Sequence, residues 1–167
     1  MRLLLALFIL STTQGIWDRI IPDSENFSLK LPQNLNFVKK VEKSRTSIGT
    51  LKLTIYQSSD KDEYDNIFVV SYLDYADSLG LDSQLKDSLL INSIEDLPGE
   101  TMYSSKQETS DLSFYTFRKK LEDQSLSIKA KVFFIDHRLY MLMVYSHEHK
   151  QLNANIDYYL NSFRIEG

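Results

Sequence analysis

The chain of 167 residues contains no cysteine. This absence excludes disulfide bonds, thiol catalysis, thiolate metal sites and lipid attachment through an N-terminal cysteine. Glycine is scarce, with five residues in the whole chain, and the sequence has no glycine-rich phosphate-binding motif. Basic residues are outnumbered, with 19 Lys and Arg against 23 Asp and Glu. The overall positive charge that drives nucleic-acid binding is therefore missing, and we expect no nucleic-acid partner.

The sequence also has no apolar run that could cross a bilayer, which takes about 20 residues. The longest run starts the chain, where Arg2 is followed by the apolar segment 3–10 and then by the small residues Thr13 and Gly15. This layout predicts a signal peptide over residues 1–15. A first strand or helix is the alternative, but no polar face accompanies the run. We expect an exported protein, periplasmic or secreted, without a transmembrane segment after cleavage.

The remaining length and composition fit one domain. Ten Tyr and nine Phe favour strands over helices. Residues 16–25 show no periodicity, so we interpret them as an N-terminal tether and residues 26–167 as a single domain.

The most informative stretch is Ser127–Ser146, in which two apolar halves flank Asp136 and His137. Both residue types adopt positive φ more often than most, which predicts a two-residue turn and a β-hairpin. One face of this hairpin is then entirely apolar, with the pairs Phe134–Leu139, Val132–Met141, Ala130–Met143 and Ile128–Tyr145. The other face is mixed, with the pairs Ile135–Arg138, Phe133–Tyr140, Lys131–Leu142 and Lys129–Val144. We expect this hairpin in the middle of a sheet that is covered on both faces.

Alternation and turn residues predict the other elements. Phe27–Pro32 is predicted to be a short edge strand that Pro32 ends. Further strands are expected at 37–43, 48–56, 67–72, 101–108, 112–121 and 126–136, and amphipathic helices at 82–97 and 150–161. Short turns join most of the strands, so the predicted fold class is α+β, an antiparallel β-sheet sandwiched by helices in an α/β/α arrangement.

Few residues suggest chemistry. His147 and His149 would point the same way from a strand and could hold zinc with a carboxylate, although polar residues are expected at a strand end anyway. Arg118-Lys119-Lys120 could hold a phosphate, but a solvated strand end is the better interpretation of this run. The sequence contains no nucleophilic serine motif. We therefore expect no enzymatic activity, no catalytic residues and no cofactor.

The order of elements resembles the PsbP-like fold. Three segments carry the resemblance: Phe27–Pro32 as an opening strand that ends in proline, Asp136–Tyr140 as a hairpin turn leading into Leu-Tyr, and Leu160–Phe163 as a closing helix that runs into Ser-Phe. The likeness covers about residues 26–165. The fold is shared by a photosystem II extrinsic subunit, a Ran-binding nuclear import factor and exported bacterial proteins of the DcrB type. The resemblance implies no shared catalytic residues.

These observations favour a non-enzymatic exported domain that binds a partner protein of the cell envelope or of a membrane-associated complex. The alternative is a carrier of a small apolar ligand, held between the sheet and a helix around Phe133, Tyr140 and Leu142. A metal-dependent hydrolase that uses His147 and His149 is a third hypothesis.

Overall fold

A computed structural model of the chain describes residues 16–46, 49–60, 65–76, 79–110, 112–122, 125–147 and 153–167. The predicted signal peptide lies outside these residues. The elements are β1 (Trp17–Ile20), β2 (Phe27–Pro32), β3 (Val38–Thr46), β4 (Gly49–Asp60), β5 (Asn66–Asp74), α1 (Ser83–Glu95), β6 (Glu100–Glu108), β7 (Ser113–Lys120), β8 (Leu126–Ile135), β9 (Arg138–His147), α2 (Ala154–Leu160) and β10 (Arg164–Ile165). No helix of the described part is long and apolar enough to cross a membrane.

Seven strands form the main sheet in the order β3-β4-β5-β9-β8-β7-β6, and each neighbouring pair is antiparallel. A smaller sheet has the order β1-β2-β10. Strand β9 is the middle strand of the main sheet, and β8 lies beside it. The predicted central position of the hairpin is therefore confirmed.

The β8–β9 hairpin has the predicted register. Phe134 pairs with Leu139, and the pairing continues through Ile128 and Tyr145. Asp136 has a φ of 52°, in the left-handed region that Asp tolerates. A slip of one residue would move every side chain to the opposite face, so the alternation of this segment specifies its pairing.

The N-terminal segment differs from the prediction. Trp17–Ile20 is not a tether but strand β1, which pairs with one side of β2. β10 pairs with the other side, so β2 is the central strand of the small sheet rather than an edge strand. Four residues are too few to show periodicity, and β10 lies at the other end of the chain from β2, so the pattern alone could not reveal these pairs.

The main sheet has a buried cluster on each face. We call the side that bears Tyr56, Phe68 and Tyr140 the small-sheet face, because β2 and α2 pack there. The opposite side, which bears Val132 and Met141, is the α1 face, where Leu90 and Ile94 of α1 are buried in the second cluster. The all-apolar side of the predicted hairpin forms part of the α1 face.

The α+β class and the antiparallel sheet are as predicted, but a complete α/β/α sandwich is not clearly shown. α2 has only seven residues and shares its face with the small sheet. α1 has 13 residues and covers only part of the other face. Among the described residues each face therefore has one helix, and neither face has a complete helical layer.

Candidate functional site

An apolar depression of about 560 Å³ lies on the α1 face, beside α1. Its floor consists of side chains from β5 and β9: Ile67, Val69, Leu73, Leu139, Met141 and Met143. Leu53 and Ile55 of β4 form one wall, and Ser93 and Leu97 at the end of α1 form the other. We call this depression the apolar groove.

The groove is open because α1 is anchored to one side of the sheet. The Tyr115 hydroxyl on β7 donates a hydrogen bond of 3.2 Å to Oδ1 of Asp87 on α1. The Lys119 ammonium, also on β7, donates to the carbonyl oxygen of Leu97. These contacts place the helix over β7 and β8, so no helix of the described residues covers the same face of β4, β5 and β9.

Lys119 holds the C-terminal end of α1. Its side chain is buried, and Nζ also lies 3.4 Å from the carbonyl oxygen of Glu95. The last carbonyls of a helix have no partner within the helix and carry partial negative charge, so a lysine there satisfies and neutralises them. At the other end, Oδ1 of Asp82 accepts a hydrogen bond of 2.7 Å from the Leu85 amide, as expected for an N-cap.

The lining of the groove is mainly apolar. The polar side chains of its lining are Gln57, Ser71, Ser93 and Asp96, together with the tyrosines Tyr72 and Tyr145. The Ser93 hydroxyl already donates to the Leu90 carbonyl at 2.7 Å. The Tyr145 hydroxyl is protonated at neutral pH like that of any tyrosine, and burial raises its pKa further above the ordinary value. Among the described residues that line the groove there is no histidine to act as a base.

Phe133, Tyr140 and Leu142, around which an apolar ligand was predicted, face the other side of the sheet and are at most 2% exposed. The Tyr140 ring stacks on Phe133 with 5.6 Å between centroids, and the Phe163 ring packs at 4.9 Å from it. The small sheet packs on this face, so these three residues belong to a packed cluster rather than to an open apolar surface. The open surface lies on the all-apolar face of the hairpin instead.

A second polar centre surrounds Glu25, which follows the short 3-10 turn Pro22–Ser24. Its Oε1 accepts hydrogen bonds from the hydroxyls of Tyr56 at 2.7 Å and Tyr72 at 2.8 Å. Arg138 lies 3.6 Å from Oε2 and covers the Tyr72 ring at 3.9 Å. Burial, assisted by the hydrogen bond to Glu25, raises the pKa of Tyr72 to about 12. We call this group the Glu25 cluster; it joins the N-terminal segment to β4, β5 and β9.

The predicted histidine pair is only partly within the described residues. His147 lies at the end of β9, where its Nε2 is 2.7 Å from Oδ2 of Asp65. His149 lies outside the described part of the chain. Within that part, no three histidine or acidic side chains form a group suited to a metal ion. The described residues therefore provide no metal-ligand group that would support the hydrolase hypothesis.

The sequence contains the groove residues but does not show where they meet. Alternation places Leu53 and Ile55 together on β4, and Leu139 and Met141 together on β9. Strand β5 lies between β4 and β9 in the sheet, and β5 and β9 are far apart in the sequence. The position of α1 beside rather than above the three strands is decided by contacts such as Lys119 with Leu97. Turn and periodicity signals carry no information on such contacts.

Comparison with known proteins identifies the fold of this chain but no family or function. No family model matches the sequence, and no curated protein is significantly similar to it. The solution structure of cyanobacterial PsbP (CyanoP) from Synechocystis sp. PCC 6803 is similar in structure, with a TM-score of 0.58 and 14% sequence identity. The match covers 92% of this chain and 95% of the cyanobacterial one. The chain therefore has the PsbP-like fold.

Proposed function

We propose that this chain is an exported, non-enzymatic domain that binds an apolar segment of a partner protein in the cell envelope, and that the apolar groove is the binding site. The observation that carries the proposal is the strip of apolar side chains from β4, β5 and β9 that α1 leaves uncovered. A surface of this kind beside polar residues is typical of interaction sites. The apolar segment at the start of the sequence supports export.

The shape of the groove favours a protein segment as its occupant. The groove is open to solvent along one side, and a helix or strand can place alternate side chains into such a surface. Met141 and Met143 on its floor are flexible and adapt to irregular partners. Beyond Ile55, the neighbouring β3 positions on this face are the charged Lys40 and Glu42, which pair with Ile55 and Leu53. A polar rim around an apolar centre is the usual anatomy of an interface.

The test is site-specific cross-linking in the native host. A photoreactive residue at position 55 lies in the groove, whereas one at Val41, which is 44% exposed on β3, lies outside it. We expect a defined protein adduct from position 55 that position 41 does not give, and we expect Met143→Lys to abolish it. Equal labelling from both positions, or no protein adduct from position 55, would contradict the proposal.

A small apolar ligand is the second candidate, and the volume of the groove favours it. About 560 Å³ lies within the range of pockets that hold small molecules, roughly 300–1,000 Å³. Native mass spectrometry of the protein from its own host separates the two candidates. A bound mass of a few hundred daltons that Met143→Lys removes would identify a carrier.

A further inference from the structure

The basic run Arg118-Lys119-Lys120 is divided between the two faces of the main sheet. Lys119 points to the α1 face, where it is buried against the end of α1. Arg118 pairs with Lys129, so its side chain lies on the small-sheet face. Lys119 is therefore separated from Arg118 and Lys120, which share the small-sheet face, and Arg118 has neighbours that the sequence does not place beside it.

Four cations meet on this part of the small-sheet face. Arg118 on β7 lies directly opposite Lys129 on β8. Lys131 is the next residue of β8 on the same face. Phe163, the residue before Arg164 on β10, packs with its ring 5.1 Å from that of Phe133 on β8, which brings Arg164 to this face. Burial lowers the pKa of Lys131, and the charge of Arg164 lowers it further. We call Arg118, Lys129, Lys131 and Arg164 the basic patch.

The four cations of the basic patch have fewer carboxylate partners than they have positive charges. Asp157 on α2 lies 2.7 Å from Lys129 and forms an ion pair with it. No carboxylate of the described residues forms an ion pair with Arg118 or Lys131. The Lys131 ammonium lies over the ring of Phe114, 4.0 Å from its centroid. Arg164 donates to the backbone carbonyls of Asn161 and Phe163 rather than to a carboxylate.

Arg118 is the most unusual member of the patch. Its Nε is buried and has no hydrogen-bond acceptor among the described residues. A buried donor without an acceptor is destabilising, and so are like charges directly opposite each other on neighbouring strands. Both costs fall if an anion lies between the side chains. Asp157 balances the charge of Lys129, whereas Arg118 and Lys131 have no carboxylate partner among the described residues, so a negative group beside them would reduce both energies.

We propose that the basic patch binds a phosphate group, with the guanidinium of Arg118 as its principal donor and the Lys131 ammonium as the second. A guanidinium matches two oxygens of a phosphate at once, and an ammonium supplies a compact charge beside it. The group can come from a soluble phosphate compound or from a phospholipid headgroup. The patch and the apolar groove lie on opposite faces of the sheet, so this inference does not depend on the proposed function.

The first test is titration of the protein lacking residues 1–15 with inorganic phosphate at constant ionic strength, followed by amide chemical shifts in NMR spectra. We expect saturable shifts at Arg118, Lys129 and Lys131. Arg118→Gln and Lys131→Gln should each weaken binding about tenfold or more, since each removes a charge-assisted contact. Lys43→Gln, which removes an exposed charge on β3, is the matched control and should bind as the wild type does.

Stability supplies a readout that is independent of binding. Without phosphate, Arg118→Gln should unfold at the same or a higher temperature than the wild type, because the substitution relieves repulsion. Phosphate should raise the melting temperature of the wild type and not that of the variant. If Arg118→Gln lowers the melting temperature without phosphate, Arg118 has a structural role and the proposal is overturned.

Vesicles distinguish the two sources. Binding to vesicles of phosphatidylglycerol but not of phosphatidylcholine, lost in Arg118→Gln, would identify a lipid headgroup. Saturable binding of free phosphate with no vesicle binding would identify a soluble compound. The absence of both, or equal effects of Arg118→Gln and Lys43→Gln, would overturn the proposal.

Discussion

At the scale of single residues, Glu25 joins parts of the chain that are far apart in sequence. Its carboxylate accepts hydrogen bonds from tyrosines on β4 and β5 and lies near Arg138 on β9. The side chain is 14% exposed, so water cannot easily replace it. The sequence before β2 does not indicate that Glu25 joins these strands, because its tyrosine partners are 31 and 47 residues away.

We expect Glu25→Ala to lower the free energy of unfolding by about 2–3 kcal/mol, because two buried hydroxyls lose their acceptor and a guanidinium loses a nearby charge. Urea unfolding of the variant and the wild type measures the change. Glu42→Ala, which removes an exposed carboxylate on β3, should stay within about 0.5 kcal/mol of the wild type. Equal effects of the two substitutions would show that the Glu25 cluster contributes no more than a surface ion pair.

At the scale of elements, the hairpin and α1 were predictable from residues close together in the sequence, whereas β1 was not. The β8–β9 hairpin was predictable to the register, because the turn and the alternation lie within 20 residues of each other. The helix α1 was predictable from Asp82 at its start and from Pro98-Gly99 after its end. Strand β1 was not, because only pairing with β2 and the packing of Trp17 against Phe68 and Tyr158 define it.

The β8–β9 turn allows a prediction about the stability of the hairpin. Asp136→Val should lower the free energy of unfolding by about 1–2 kcal/mol, because a β-branched residue is disfavoured at a φ of 52°. Asp136→Gly should be close to neutral, since glycine adopts this conformation readily. Urea unfolding of both variants is the measurement. A neutral Asp136→Val variant would mean that the turn changes conformation at little cost.

At the scale of the whole molecule, buried tyrosines link stability to pH. Burial raises the pKa of seven of them: Tyr56, Tyr72, Tyr75, Tyr115, Tyr140, Tyr145 and Tyr159. An exposed tyrosine in the unfolded chain loses its proton near pH 10. Above that pH the folded state binds more protons than the unfolded state, so stability falls as the pH rises.

We therefore expect the free energy of unfolding to decrease between about pH 10 and pH 12, the interval that the pKa of Tyr72 defines. Urea unfolding over this interval measures the slope. Tyr72→Phe should make the decrease shallower because it removes one of the linked protons, whereas Tyr103→Phe, on the exposed strand β6, serves as the control. A wild-type stability that does not change over this interval would contradict the prediction.

The sequence by itself determined the strands and helices that local signals define, the antiparallel α+β class and the all-apolar face of the hairpin. These properties depend on alternation, turn chemistry and capping, which act between residues that are close in the chain. Only the tertiary structure decided that α1 lies to one side of β4, β5 and β9, that the small sheet fills the face of Phe133 and Tyr140, and that Arg118 lies opposite Lys129. Each of these outcomes depends on contacts between distant segments, because the packing of several elements together selects which faces are covered and which stay open.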